Sequence, residues 1–183
     1  MRKFGLSLAV VGGVALAIGS PSVARNPMVG GAAMYPTRNI VQNAVNSKDH
    51  TTLVAAVKAA GLVDTLSGKG PFTVFAPTNE AFAKLPAGTV DNLVKPENKA
   101  TLTKILTYHV VPGRITAQEI AAMAAKHGGM AMLKTVEGEN LTFRKSGGTW
   151  WVIDAKGDKA RITIPNVMQS NGVIHVIDTV LMP

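Results

Sequence analysis

The sequence contains no cysteine, so disulfide bonds, thiol nucleophiles and lipid attachment through a cysteine are excluded. Aromatic residues are also scarce, at 5% of the 183 residues. The core therefore has to be built mainly from aliphatic side chains and methionine. Hydrophobic residues make up 46% of the chain, and its length allows one domain that folds by apolar burial alone.

The sequence also lacks an apolar run long enough to span a bilayer. Residues 6–18 are apolar, but they fall short of the roughly 20 residues that a span needs. This run follows Arg2 and Lys3 and precedes small residues ending at Ala24. That order is typical of a secretory signal peptide cleaved after Ala24, with an uncleaved anchor as the alternative. We predict a secreted or periplasmic protein with no stable membrane span after cleavage.

Basic residues outnumber acidic ones, 19 to 11, which gives a formal net charge of +8. They are dispersed along the chain, and no basic stripe is interleaved with aromatics in the manner of nucleic-acid-binding proteins. We therefore predict no nucleic-acid partner and a mildly basic, solvated surface. Attraction to acidic polymers or lipid head groups stays open as the alternative.

The pattern of apolar residues changes from helical to strand-like along the chain. Helical spacing predicts several short helices after residue 39, with Asp49, Thr78 and Thr116 as N-caps. From residue 132 onward, two-residue alternation between turn signals predicts antiparallel hairpins. Helices followed by a strand meander indicate an α+β domain.

Domain boundaries follow from composition and pattern. Residues 25–38 contain several glycines and prolines without a steady period, so we expect a flexible lead-in. Residues 39–183 are expected to form the folded domain, behind the predicted signal peptide at residues 1–24. Within that domain, residues 108–111 are expected to form a strand.

Three segments carry a family resemblance. Residues 70–82 read GPFTVFAPTNEAF, residues 108–111 read YHVV, and residues 171–181 read NGVIHVIDTVL. In this order they resemble the first signature, the central Tyr-His motif and the second signature of fasciclin domains. The resemblance extends over residues 39–183, and a single copy behind a signal peptide resembles the bacterial version of the family.

The resemblance implies a wedge of two packed β-sheets with helices gathered at one side. It also implies a role in adhesion or in contact with the extracellular matrix. The expected partner is a protein or polysaccharide of the cell envelope or matrix, and neither its identity nor an oligomeric state is indicated. The alternative is a periplasmic carrier or receptor for a small ligand, held in the gap between sheets and helices.

We expect the candidate interaction or structural motif near the Tyr108-His109 segment and the first-signature corner at residues 77–80. Its members are Phe75, Pro77, Thr78, Asn79, Glu80, Tyr108, His109 and His175. We expect Phe75, Tyr108 and His109 to act mostly on the fold itself, with neighbouring surface residues making the contacts.

Two histidines lie inside apolar runs and raise the question of chemistry. His109 and His175 could form a metal or acid–base pair, or each could be a hydrogen-bonded structural residue on a strand. Two imidazoles fall short of the three or four ligands of zinc sites. The sequence has no Gly-x-Ser-x-Gly elbow and no marked carboxylate pair. We therefore predict no catalytic residue, no metal and no cofactor, with an undetected hydrolase as the remaining alternative.

Two neighbouring tryptophans fall on one predicted strand. Trp150 and Trp151 must point to opposite faces of it, so one is expected in the core. The other is either covered by loops or exposed, where it could stack on a sugar ring or a partner. Arg144 and Lys145 nearby are compatible with an acidic ligand.

Overall fold

The computed structural model describes residues 26–183, so the predicted signal peptide lies outside the described residues. The helices are α1 (Ile40–Ala44), α2 (Thr51–Ala60), α3 (Val63–Ser67), α4 (Asn79–Ala83), α5 (Thr89–Leu93), α6 (Lys99–Tyr108) and α7 (Ala117–Lys126), with 3-10 turns at Lys48–His50 and Pro96–Asn98. The strands are β1 (Met28–Val29), β2 (Ala32–Ala33), β3 (Phe72–Pro77), β4 (Val110–Pro112), β5 (Met130–Lys134), β6 (Asn140–Ser146), β7 (Thr149–Ile153), β8 (Lys159–Gln169) and β9 (Gly172–Ile177). Over residues 26–183, no helix is both long and apolar enough to cross a bilayer.

Seven strands form one mixed sheet in the order β4-β3-β9-β8-β7-β6-β5. The run from β5 to β9 pairs antiparallel throughout, which confirms the predicted hairpins. The exception is the parallel pairing of β3 with β9, which runs from Phe72 beside Gly172 to Pro77 beside Ile177. Since these strands lie about a hundred residues apart, no local turn signal could have predicted their contact.

The long strand β8 divides this sheet into two halves. Its first residues pair with β7 and its last with β9, and its register shifts around Ile164. Such irregularities bend a strand, so the two halves can face one another. The rings of Phe75 on β3 and Phe143 on β6 lie 5.2 Å apart between centroids. This packing gives the expected wedge of two sheet layers.

Strands β3 and β9 are buried on both faces of the sheet. Successive residues of a strand point to opposite faces, and in these strands each face packs against a different core. Val74 and Ile174 pack in a cluster with helical residues such as Leu53 and Leu106. On the other face, Phe75 and Ile177 of these strands pack in a second cluster between the sheet halves. Phe143 of the meander and Ile120 of α7 also belong to this cluster. Both signature strands are therefore interior elements.

Local helix signals are largely confirmed. The hydroxyl of Thr78 accepts from the backbone N–H of Ala81 at the start of α4. Thr116 and Glu119 form a capping box at α7, in which each side chain accepts from the backbone of the other residue. These contacts depend only on residues three apart, so the sequence was sufficient to predict them.

Two local predictions are wrong. Asp49 does not cap α2; it lies in the 3-10 turn, and the Oδ1 atom of Asn79 instead accepts from the N–H of Thr52. Tyr108 is the last residue of α6 and His109 its C-cap, so the strand begins only at Val110. In the first case a side chain from a distant segment supplies the acceptor.

Part of the segment expected as a lead-in forms regular structure. Strands β1 and β2 form a small hairpin, and Val29 and Met34 are buried in the helical core. The N–H of Lys48 donates to the carbonyl of Gly30 and joins the hairpin to the first helices. Two apolar residues among glycines are too few to produce a detectable period, although they suffice to anchor the segment.

Candidate functional site

The first signature forms a corner from β3 through Thr78 into α4. Pro77 is buried, Thr78 and Asn79 are half-buried, and Glu80 is exposed. Asn79 accepts from the N–H of Thr52 at 3.0 Å, and its amide nitrogen donates to the carbonyl of Lys48 at 2.8 Å. This side chain therefore joins the corner to the start of α2, and Glu80 is the member of the corner that faces solvent.

His109 follows α6 and is 2% exposed. Its Nδ1 atom lies 2.8 Å from the carbonyl of Ile105, and its Nε2 atom accepts from the N–H of Leu181 at 3.0 Å. These partners require that Nδ1 carries the proton, since only a bare Nε2 can accept. Burial lowers the pKa of His109 to about 4, against the opposing effect of the Ile105 carbonyl and of Asp154. The ring is therefore neutral and links α6 to the C-terminal segment.

His175 occupies the middle of β9 and is fully buried. Its ring stacks on that of Phe75, with centroids 5.4 Å apart and an interplanar angle of 18°. Nε2 donates to the carbonyl of Ile115 at 2.9 Å, while Nδ1 accepts from the N–H of Asn166 at 3.3 Å. Burial lowers the pKa of His175, so this ring is also neutral.

Tyr108 is fully buried and joins the sheet layers through its hydroxyl group. The hydroxyl donates to the carbonyl of Asn140 at 3.3 Å and accepts from the N–H of Ala155 at 2.9 Å. Burial raises the pKa of Tyr108 above its ordinary value. The phenol therefore serves as a neutral donor and acceptor between the end of α6 and the strand meander.

Phe75 brings the two histidines of the motif together. Its N–H donates to the carbonyl of His109 at 2.9 Å, and its ring packs on His175. We name Phe75, Tyr108, His109 and His175 the buried signature cluster. In each histidine of the cluster both ring nitrogens already have a backbone partner. The two rings therefore have no nitrogen free to bind a metal or to take a substrate proton.

Two further structural residues escaped the sequence reasoning. His50 is buried, with Nδ1 at 2.9 Å from the hydroxyl of Ser47 and Nε2 at 3.4 Å from the carbonyl of Ala76. Burial lowers its pKa. No periodic signal marks His50, since its neighbours in sequence are polar and exposed.

Asn171 is the second such residue. Its Oδ1 atom accepts from the N–H of Ile40 at 3.0 Å, and its amide nitrogen donates to the carbonyls of Leu66 and Gly68 at 2.7 and 2.8 Å. One buried amide thus joins the starts of α1 and β9 to the end of α3. The only sequence signal for it is its place in the second signature.

The remaining ionisable residues do not form a metal-binding set. Across residues 26–183, no three histidine or acidic side chains lie close enough together to hold an ion. Trp150 and Trp151 do point to opposite faces of β7. Trp150 packs on the second core, and Trp151 lies half-buried beside Arg144 on the outer face.

The protein is an α+β domain of the wedge type. Its mixed sheet bends around the buried signature cluster, and helices pack on the opposite face of β3 and β9. A family model confirms the expectation from the signatures: it is described as the fasciclin domain and matches residues 48–183. The chain belongs to this family. The boundary at residue 39 stays a prediction.

Comparison with known proteins agrees. Protein sll1483 of Synechocystis is 49% identical over 175 residues, which cover 91% of this chain and 90% of the relative. The cell surface glycolipoprotein MPB83 of Mycobacterium bovis is 35% identical over 165 residues, covering 88% of this chain and 62% of the relative. Each is a similar protein of the same family.

A solved structure supports the fold. The chain matches a domain pair from the insect cell adhesion molecule fasciclin I, with a TM-score of 0.70 and 21% sequence identity. The match covers 80% of this chain and 51% of the solved one, so this chain spans about half of that pair. At this identity the likeness establishes the fold alone.

Proposed function

We propose that this protein is an exported adhesion or envelope-interaction module that makes its contacts through its outer surface and catalyses no reaction. The observation that carries this proposal is the burial of the signature cluster, in which the ring nitrogens of His109 and His175 have backbone partners. The two signature histidines, which could perform acid–base chemistry, instead use their ring nitrogens to stabilise the fold. Exposed residues must then contact the partner.

The names of similar proteins point the same way. One relative is a cell surface protein, and the solved domain pair comes from a cell adhesion molecule. The apolar run at residues 6–18 followed by small residues is the export signal on which the secreted or periplasmic location rests. These features together favour a partner in the cell envelope or matrix.

The first-signature corner is the proposed contact region within the motif. Glu80 projects from the first turn of α4, next to the half-buried Thr78 and Asn79. Because Asn79 is held by α2, the corner is rigid and its exposed side chain has a defined position. Such preorganisation lowers the entropy cost of binding.

Sedimentation of the purified protein with isolated cell envelopes tests this proposal. We expect saturable binding that Glu80→Lys weakens without a change in melting temperature. Glu97→Lys is the matched control, since Glu97 is also an exposed acid in the first turn of a helical segment. Absence of saturable binding would contradict the module, and so would turnover on a panel of esters and glycosides.

The carrier alternative finds less support in the interior. An apolar cavity lies among the helices and the N-terminal hairpin, with Val29, Val57 and Leu106 in its lining, but its volume is about 50 Å³. Engineered cavities that admit benzene are about 150 Å³. A carried ligand would therefore require the hairpin to move. Native mass spectrometry separates the two functions, because a co-purifying small molecule would favour the carrier.

A further inference from the structure

The outer face of the strand meander carries a row of side chains that the signatures do not include. The register places Arg144 of β6 opposite Trp151 of β7, and Trp151 opposite Arg161 of β8. Residues directly opposite one another in a sheet point to the same face, with Cβ atoms about 5 Å apart. Trp151 therefore stands between two arginines on three adjacent strands. We name Arg144, Trp151 and Arg161 the outer row.

The outer row faces away from the core. The next residues along the strands, Phe143 and Val152, are fully buried on the opposite face, whereas Arg144 and Arg161 are exposed. An open depression of about 420 Å³ lies beside the row and is lined by Arg144, Ser146, Trp151, Ile153 and Lys159. Arg144 and Trp151 of the row therefore line it, and Arg161 lies outside it.

This face is strongly positive. Arg144, Arg161 and Lys159 surround the indole, and the acid facing them is Asp178, whose carboxylate lies 3.3 Å from the Nε atom of Arg161. Within the described part of the chain, Arg144 and Lys159 form no ion pair. The row therefore retains cationic groups that an anionic ligand could neutralise.

The indole of Trp151 is available for stacking. An arginine placed across from a tryptophan often covers the ring with its guanidinium group. Among residues 26–183, such a contact is found for Arg38 on Tyr35, but neither arginine of the outer row lies over Trp151. Trp151 is half-buried and lines the depression, so part of its indole is accessible to a ligand.

We infer that the outer row binds an acidic polysaccharide, with a sugar ring stacked on Trp151 and carboxylates of flanking sugars held by Arg144 and by the neighbouring Lys159, which form no ion pair within the described residues. The inference rests on the proposed function, since export is what brings the protein to envelope polysaccharides. A uronic-acid sugar offers an apolar C–H face and a planar carboxylate together. The C–H face can stack on the indole, and the carboxylate can accept two hydrogen bonds from a guanidinium group.

The position of the row favours a polysaccharide over an acidic peptide. Sheets recognise peptides chiefly at an exposed edge, where backbone groups are free. Strands β6 and β7 have neighbours on both sides, so they offer no such edge. Arg144 and Lys159 lie on strands two spacings apart, about 10 Å, with β7 and its Trp151 between them, so they can meet carboxylates on either side of a stacked sugar.

Isothermal titration calorimetry with oligogalacturonate as the probe tests this inference. The methyl-esterified oligomer removes the charge but keeps the sugar ring, and polyglutamate keeps the charge but lacks the ring. We expect binding of oligogalacturonate that is weakened by salt and is lost with both analogues. Trp151→Leu and Arg144→Gln should each weaken it by about fivefold to tenfold, the effect of one stacking or charge-assisted contact.

Lys145→Gln is the matched control. Lys145 is an exposed cation on the same strand, but it pairs with Trp150 and so belongs to the other face. It should change the affinity by less than about twofold. Melting temperatures of all variants identify any loss of folding. If Trp151→Leu is unstable, Arg144→Gln still tests the inference, because Arg144 is exposed and its replacement should not unfold the protein.

In the calorimetric experiment, the inference would be overturned by no binding of oligogalacturonate, by equal binding of polyglutamate, or by equal loss of affinity in Lys145→Gln. Envelope sedimentation with the same variants separates it from the proposed function. Envelope binding that survives in Arg144→Gln and Trp151→Leu would leave the module standing and reject the outer row. Oligogalacturonate binding without envelope binding would support the row and reject the module.

Discussion

The backbone N–H of Leu181 donates to the Nε2 atom of His109 over 3.0 Å, so a residue in the middle of the chain holds its C-terminal segment. The same ring lies 2.8 Å from the carbonyl of Ile105 in the last turn of α6. Removing this imidazole would leave the Leu181 N–H without a partner in a buried place. The contact explains why a histidine can belong to a signature without taking part in chemistry.

The first prediction concerns this imidazole. His109→Ala is expected to lower the free energy of unfolding by roughly 2–4 kcal/mol, because two hydrogen bonds are lost and a cavity is left. Chemical denaturation measures the change. His127→Ala is the matched control, since His127 makes the same contact to the carbonyl four residues earlier but is exposed. Equal destabilisation by both variants would contradict the account.

The second prediction is a loss of stability in mild acid. Burial lowers the pKa of His109 to about 4, and it also lowers those of His50 and His175. The folded rings stay neutral while the unfolded ones take up protons below about pH 6.5, so stability is fully present above that pH and falls as the pH drops.

Between pH 6.5 and 5, His109 alone should account for roughly 2 kcal/mol of this loss. Urea denaturation at pH 7.5, 6 and 5 measures the slope, which His109→Gln should reduce. A free energy of unfolding that stays constant, or rises, between pH 7 and 5 would contradict the neutral, buried imidazoles.

The third prediction concerns Asn171. Asn171→Ala removes the partners of three backbone groups, on Ile40, Leu66 and Gly68, and should cost roughly 3 kcal/mol of stability. Asn46→Ala is the control, since Asn46 is exposed and donates only to the carbonyl of Gln42. It should cost less than about 1 kcal/mol. Thermal unfolding of both variants, compared with wild type, decides the matter.

The fourth prediction concerns the parallel pair of signature strands. A Cβ atom on Gly172 would lie 1.9 Å from the carbonyl oxygen of Phe72, so Gly172→Ala must push β9 away from β3. The expected cost is about 3 kcal/mol or more, at the upper end of overpacking effects. Ser170→Ala, at an exposed position two residues earlier, should be nearly neutral. A stable Gly172→Ala variant would mean that the two strands are not so close.

The parts of the fold that could be predicted are those decided by near neighbours. The capping residues Thr78 and Thr116 act within their own helices, and alternation in the meander depends on adjacent strands. Asp49 failed as a cap because Asn79, thirty residues away, supplies the acceptor. Residue identity could not indicate this, since the choice depends on which segments meet in three dimensions.

The candidate site shows the same division. The signatures indicated that Phe75, Tyr108, His109 and His175 matter, but the sequence left metal binding, acid–base chemistry and structure as alternatives for the histidines. Only the partners of each ring nitrogen decide among them, and these lie up to 72 residues away. For the outer row, the sequence indicated that one of two tryptophans could stack on a sugar ring near Arg144. It could not indicate that Trp151 is the one, or that Arg161 lies on its other side, because both depend on the register of three strands.

We propose that the buried signature cluster maintains the fold while the outer surface makes the contacts. Melting temperature and envelope binding, measured together on His109→Ala, separate these two roles. We expect a lower melting temperature, with binding reduced only as far as the folded fraction falls. An unchanged melting temperature with abolished binding would show that His109 itself contacts the partner, and that the cluster does more than maintain the fold.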